Sequence, residues 1–480
     1  MHIQKAAIAF GSLALVGLTP VSAQDAGEQQ PYALSSSQSA TVDRLIDSAL
    51  EDRLAYEVLE SLTTEIGPRL PGSDDEARAR DWGVAKMKAL GFKNVRIETF
   101  EMPYWERISE SAEIVSPYPQ ALKITALGNS VSTPEGGLTG EVVRFPTLLD
   151  LVDAPLGGLQ RKIVFVDEVM TKTQDGSGYG WAVAKRSGAA NEAAKRGAAA
   201  AIIRSSGTSA GRSPHTGMMR YEEDVTPIPT AALSNPDADL LARALKSAGK
   251  AEIKLDISTL KKDTTISGNV IGEIPGRSDE LIVIGGHLDS WDLGTGAVDD
   301  GAGIAITMAA AKRVGDLRGK PGRTIRVVMW GAEEVGLFGG RAYAEAHKDE
   351  LDKHYFASES DFGAGRIWQF RSGFGESEIG KAKVFEKALR RLGVGPGRNT
   401  SNGGPDVSPI SALGVPVATL GQDGSDYFNL HHTMEDTFDK IKLDDLQQNV
   451  AAWTAMIYIA SEMEGDFRHK ENSAEAAAEE

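Results

Sequence analysis

The chain has 480 residues, a formal charge of −17, 41% hydrophobic and 25% charged residues, and no cysteine. That balance is globular, not disordered or fibrous, and the acidic excess speaks against a bare phosphate backbone or an anionic membrane surface as the main partner. Without cysteine there are no disulfides, thiolate metal sites or thiol nucleophiles, so metal chemistry falls to His, Asp and Glu.

Residues 1–23 read as a signal peptide: Lys5 gives a positive start, Ala6 to Leu18 form an apolar run, and Val21, Ser22 and Ala23 are the small residues that a signal peptidase needs. The expected protein is exported, periplasmic or secreted. No later segment approaches eighteen continuous apolar residues, so no stable membrane insertion is expected. The remainder, about 450 residues, suits two or three domains. Residues 24–40 are polar and read as a flexible N-terminus.

Residues 41–107 form the first part of the main domain. Ser73, Asp74, Asp75 and Glu76 have the pattern of a capping box, opening a helix with Trp82, Ala85 and Ala89 on one face and Gly91 as its stop. Phe92 to Phe100 follows as a half-exposed strand. Composition changes near Ile108. Residues 108–262 read as a smaller α/β unit with short β-branched runs, a strand at 198–203 and a helix at 189–196. A second helix is opened by Asn235 as cap and Pro236 as first residue. This unit has no member of the metal cluster described next, and so reads as an insertion.

From 263 to 466 strand-like runs (281–286, 324–331 and 415–420) alternate with helical stretches (304–314, 377–392 and 446–459). That alternation predicts an α/β fold with a largely parallel sheet flanked by helices. Residues 467–480 are low in complexity and read as a flexible tail.

Open α/β sheets place ligands at the carboxyl ends of their strands. His287 and Asp289 follow the first of these runs, Glu333 and Glu334 the second, and Asp361 closes the run from Tyr355 to Ser360. Between the first two lies a glycine turn, Gly294 to Gly303, that carries Asp299 and Asp300. It lacks the Gly-Lys-Ser/Thr ending of a phosphate loop, and its paired acids would repel phosphate. His431 and His432 precede Thr433. Singly, each has a bland reading as a structural histidine, a turn aspartate or a solvated acid. Together His287, Asp299, the pair Glu333 and Glu334, Asp361 and the pair His431 and His432 supply five compatible ligand positions at strand ends or in turns. Histidine and carboxylate without sulfur favour zinc and also admit manganese or cobalt.

The segments Gly67–Ser73, Gly286–Ser290, Gly296–Gly303, Gly331–Glu334, Glu359–Asp361, His431–Thr433 and Asp436–Thr437 resemble the M28 zinc peptidases. The resemblance is to the plasma glutamate carboxypeptidase-like (carboxypeptidase Q-like) branch and extends over about residues 45–465. Ser213–Gly217 and Ile228–Ala231 are similar to the protease-associated domain inserted in such enzymes. The resemblance implies two divalent metal ions, one held by His287 and Asp361, the other by Glu334 and His432, with Asp299 bridging. It implies Glu333 as general base and then acid, Asp289 as the carboxylate orienting His287, and a cis peptide between Asp299 and Asp300. The substrate it implies is a dipeptide or short peptide with free termini, cut by carboxypeptidase, dipeptidase or aminopeptidase action. A homodimer is compatible with it, although no heptad pattern demands one. An aminopeptidase on longer peptides, a two-metal phosphoesterase and a non-enzymatic binding protein stand as alternatives.

Overall fold

The computed structural model describes residues 32–468. The expected leader, the beginning of the 24–40 segment and the tail past 468 lie outside the described residues. Three helices come first: α1 (Ser36–Ala49), α2 (Leu54–Glu65) and α3 (Asp74–Ala89). Helix α1 begins inside the segment expected to be flexible, because Ser35 and Gln38 close a reciprocal capping box and Val42, Leu45 and Ile46 are buried. Ser73 caps α3 as expected, but Glu76 turns its carboxylate to Gly72, Ser267 and Arg80. The expected apolar face of α3 is also corrected. Ala79, Trp82, Gly83 and Met87 are buried, whereas Ala85 and Ala89 are exposed.

Next come β1 (Lys93–Ser116), β2 (Gln120–Leu122), β3 (Ile124–Ala126), β4 (Leu138–Phe145), α4 (Leu148–Val152), β5 (Ile163–Val166), α5 (Ser177–Ala182), α6 (Ala184–Lys195), β6 (Ala200–Arg204), β7 (Thr230–Leu233), α7 (Asn235–Ala248) and β8 (Glu252–Ile274). The cap of α7 is Ser234, whose hydroxyl accepts from the Asp237 amide, and not Asn235. The expected changes of unit at 108 and 262 both fall inside strands. β1 and β8 pair antiparallel from Lys93–Glu273 to Ser116–Glu252, forming one ribbon with no linker at either point. The composition shift marks where the ribbon changes partners. Towards its 270–274 end β8 also pairs with a strand of the main sheet, and towards its 252–255 end with β4.

The chain then forms β9 (Leu281–His287), α8 (Ala302–Gly315), β10 (Thr324–Trp330), α9 (Phe338–Ala346), β11 (His354–Glu359), β12 (Ile367–Gly373), α10 (Ala382–Leu389), β13 (Gly395–Pro396), α11 (Ser408–Ser411), β14 (Val417–Gln422) and α12 (Leu443–Glu462). The central sheet is mixed with mostly parallel pairing: β10, β9, β11 and β14 run parallel, while β8 and β12 lie antiparallel beside them. Helix α8 is apolar on all sides before Lys312, as a helix buried beneath a sheet must be. It packs with α12, α2 and β9 in the largest core. Phe467, at the start of the expected tail, is fully buried against Phe374, Phe385 and Tyr355. Among the described residues no helix is long and apolar enough to cross a membrane.

Candidate two-metal active site

Strand β9 delivers His287 to the carboxyl edge of the sheet, where two groups of side chains meet. In one, ligand atoms of His287, Asp299 and Asp361 lie within 4.8 Å of one another; in the other, those of Asp299, Glu334 and His432 do so. Asp299 belongs to both. Its Oδ1 lies 3.1 Å from His287 Nε2 and its Oδ2 lies 3.2 Å from His432 Nε2. Asp361 Oδ1 stands 3.6 Å from His287 Nε2, and Glu334 Oε2 stands 2.8 Å from His432 Nε2. The residues singled out in the sequence therefore converge, although as many as 145 positions separate them in the chain.

The turn Ala297–Gly301 carries Asp299, and the peptide between Asp299 and Asp300 is cis. Asp436 holds this turn by accepting from the Val298 amide at 2.6 Å and the Asp299 amide at 3.2 Å. Asp300 points away from the cluster. Its carboxylate accepts from the His287 amide at 3.0 Å and the Gly303 amide at 3.1 Å, joining the strand end to the start of α8. Position 303 requires glycine, since a Cβ there would lie 1.9 Å from the Ser360 carbonyl and 2.4 Å from the Asp300 carboxylate.

Asp289 holds a different place from the one expected. His287 Nδ1 meets the Asp289 main-chain carbonyl at 2.9 Å, whereas the carboxylate is 3.8 Å away. That carboxylate accepts instead from the amides of Glu333 at 3.0 Å and Glu334 at 3.2 Å. Asp289 thus orients His287 through its backbone and fixes the acidic pair through its side chain.

The donor set fits divalent cations. His287 Nδ1 and His432 Nδ1 each face a main-chain carbonyl, that of Asp289 and that of Thr216, which leaves both Nε2 lone pairs directed into the cluster. Among the described residues Asp299 Oδ2 and Glu334 Oε1 are buried and accept no aligned hydrogen bond. The field points the same way. Burial disfavours a charged His287 or His432, yet the Asp299 and Asp361 carboxylates raise the first well above its ordinary pKa, and Glu334 and Asp299 do so for the second. A site negative enough to hold protons there offers the same attraction to metal ions, which displace those protons on binding. Burial pushes Glu334 up to about 7 against the pull of His432.

Sequence reasoning did not assign several neighbours. His431 lies 3.3 Å from Asp299 and 2.9 Å from His215, a residue of the stretch between β1 and β8. Burial and the adjacent His432 lower both of these imidazoles well below their ordinary range. Together His215, His431 and His432 form a third close group beside the first two. Trp291 donates its indole N–H to Glu334 Oε2 at 2.6 Å. Arg69, fully buried, donates to the carbonyls of Gly67, Leu288, Thr295 and Gly296, tying the segment after β9 to the approach to α3. Glycine and proline around Arg69 marked a motif, but nothing in the sequence showed what it would hold. The cluster opens onto a cleft of about 480 Å³ whose lining includes Glu333, Glu334 and, from the stretch between β1 and β8, Tyr179, Arg186 and Arg220.

Comparison with known proteins agrees with this geometry. The model of peptidase family M28 matches residues 269–457. The chain is 36% identical over 419 residues to carboxypeptidase Q from Mus musculus, covering 85% of this chain and 86% of the mouse protein. It is 34% identical over 416 residues to that from Homo sapiens, with 85% and 86% covered. The crystal structure of a peptidase M28 precursor from Shewanella amazonensis SB2B superposes with a TM-score of 0.89 at 48% identity, covering 91% of this chain and 99% of that one. An aminopeptidase from Aneurinibacillus sp. strain AM-1 shares the fold at a TM-score of 0.62 and 22% identity, over 89% and 98% of the two chains. The chain belongs to peptidase family M28 and is a zinc-type metallopeptidase related to carboxypeptidase Q.

Proposed function

We propose that the protein is an exopeptidase that hydrolyses dipeptides or short peptides, with Glu333 moving the proton. The observation that carries this reading is the position of Asp299, one oxygen toward each group, on the wall of a cleft sized for a small peptide. His287, Asp299 and Asp361 would hold one divalent ion and Asp299, Glu334 and His432 the other, and such a pair would supply Lewis acidity toward the scissile carbonyl and the attacking water.

The chain's own residues do the rest. Glu333 is half-buried in the cleft wall, outside both ligand groups. Burial raises its carboxyl well above the ordinary range, against the pull of His287 and with help from Asp361, Glu334 and Asp406. A carboxylate so placed takes a proton from water and can return it to the departing amine. Asp289 keeps its backbone in place. The proposal treats residues 41–107 and 263–466 as the peptidase domain and 108–262 as an inserted protease-associated domain that caps the cleft and limits substrate size. It includes export to the periplasm or medium, on the strength of residues 1–23, and allows a homodimer.

The test is a panel of dipeptides assayed with the metal-loaded protein, alongside its bound-metal content. Glu333→Gln should lower turnover by at least ~10²-fold, the scale of losing a general base, while two metals per chain are retained. Equal turnover in that variant removes Glu333 from the role; release of phosphate from phosphoesters without cleavage of any dipeptide removes the peptidase reading.

A further inference from the structure

We infer that the stretch between β1 and β8 governs one of the two ion positions, that of Glu334 and His432, through His215 and the main chain of Thr216, and leaves the position of His287 and Asp361 to the main sheet. The inference rests on the two-ion reading above and adds to it which ion is tied to that stretch.

The segment 423–432 brings His431 and His432 to the cluster, and its own backbone is docked on the stretch between β1 and β8. Gly424 donates its amide to the Gln174 carbonyl at 2.8 Å. The carbonyls of Phe428 and His432 accept from the amides of Thr208 at 2.9 Å and Thr216 at 3.0 Å. The Thr216 carbonyl in turn faces His432 Nδ1 at 3.3 Å, so one buried residue holds both the backbone and the ring of a ligand. His432 stands at φ +57°, a left-handed conformation disfavoured for a residue with a Cβ, which persists where the surroundings impose it. Thr216 is itself anchored, its hydroxyl donating to the Ala126 carbonyl at the end of β3.

The His215 imidazole adds a second hold. Its Nε2 is 2.9 Å from His431 Nδ1, one donating to the other, and the His431 ring stacks on that of His432 with centroids 3.6 Å apart. His215 is buried, and its amide donates to the Ser205 hydroxyl just past β6. Glu334 is held from the same side. Trp291, which donates to its Oε2, packs edge-on against Trp105 of β1 and against Gly128, where a Cβ would collide with the indole.

The other position is supported by the main sheet. His287 ends β9, donates its amide to Asp300 and turns Nδ1 to the Asp289 carbonyl. Ser360 donates its amide to the Gly285 carbonyl at 2.9 Å, so Asp361 is carried by the neighbouring strands β11 and β9. Asp299, common to both groups, is held by Asp436. Displacement of the stretch between β1 and β8 therefore moves His432 and leaves His287 and Asp361 where they are, which makes His215 a positioning residue for one ion alone.

The test measures bound zinc by equilibrium dialysis at set free zinc. Wild type should hold two ions per chain. In His215→Leu the affinity for one ion should fall by about 10- to 100-fold, the scale for removing a partner that orients a ligand, while the other stays within about threefold of wild type. His215→Gln, whose amide can still bond to His431, should recover part of the loss. Combined with His287→Ala, His215→Leu should weaken the one ion that is left; combined with His432→Ala, it should not. The coupling is reciprocal, so zinc added to metal-free wild type should slow hydrogen exchange at the amides of Thr208 and Thr216, a measurement that needs no variant to fold. The inference is overturned if His215→Leu holds both ions as tightly as wild type, if it weakens both alike, or if the two double variants show the reverse pattern. Exchange at Thr208 and Thr216 that is indifferent to zinc overturns it as well. Fewer than two ions in wild type at saturating zinc overturns the two-ion reading itself, and this inference with it.

Discussion

Arg69 shows how one buried side chain can organise a site it does not enter. Its guanidinium is fully buried, and burial lowers its pKa to about 10 against the opposing pull of Asp436 and Asp289. Its donors are spent on four main-chain carbonyls, including those of Thr295 and Gly296 on the way to Asp299. Replacing it with methionine would fill the volume and leave those acceptors unpaired, at roughly 1–3 kcal/mol for each that water cannot reach. Arg69→Met should therefore lower the denaturant midpoint clearly and weaken metal retention on dialysis, although Arg69 is in neither ligand group. An unchanged midpoint would mean that the turn holds itself. At this scale the sequence was most legible where chemistry limits the choice: five positions with metal-type side chains at strand ends and turns could be singled out from residue type and place, while the choice within Glu333 and Glu334 and within His431 and His432 came from the family resemblance. It was least legible where a residue can act through either backbone or side chain. Asp289 was expected to hold His287 with its carboxylate, and does so with its carbonyl.

Among the elements, periodicity located the buried strands and the long helices of the second half well, because each is apolar for a simple reason. Helix α3 was harder. Its buried face includes Glu76, Arg80 and Gly83, which hydropathy does not mark. The ribbon of β1 and β8 was read as a boundary because composition changes along it, and only pairing reveals its continuity. A pH effect belongs to this scale, at the start of β11. His354 is buried, with Nε2 2.8 Å from the Tyr343 hydroxyl and Nδ1 3.0 Å from the Glu350 carbonyl. Arg326 donates to the same hydroxyl, so Tyr343 must pass its proton bond on to a neutral imidazole. Burial lowers the His354 pKa to about 4. Because the unfolded chain binds that proton first, the contribution is whole above pH ~6.5 and is lost as pH falls toward 4, about 3 kcal/mol in all. His354→Asn should be less stable than wild type at pH 7, with the gap narrowing by pH 4.5. A gap that stays constant would show that this histidine does not titrate on unfolding.

The whole molecule is built around a concentration of buried acid. Asp289, Asp299, Asp300, Glu334, Glu359, Asp406 and Asp436 are all buried close to the carboxyl edge of the sheet. Cations that bind only the folded state stabilise it by mass action. Chelation should therefore lower the thermal midpoint by several degrees, with recovery on adding zinc, and the shift should grow with free zinc concentration. A midpoint indifferent to chelator would mean that the acids are balanced by protons alone. The stretch between β1 and β8 shares in this centre: Thr216 faces His432, His215 meets His431, and Arg186 lines the cleft. None of this was visible in a segment whose sequence lacks the metal-ligand pattern, because its contribution is made by single side chains and a carbonyl.

The ribbon has a consequence for how such a molecule can be rebuilt. Ser116 and Glu252 face each other on its last rung, so the chain departs and returns at neighbouring points. However long the excursion beyond that rung, it imposes no spacing on the sheet below. An engineer could excise it, closing the gap with a tight hairpin turn, or graft another module onto the same two ends, provided the replacement restores the carbonyl that Thr216 presents to His432 and the contact of His215 with His431.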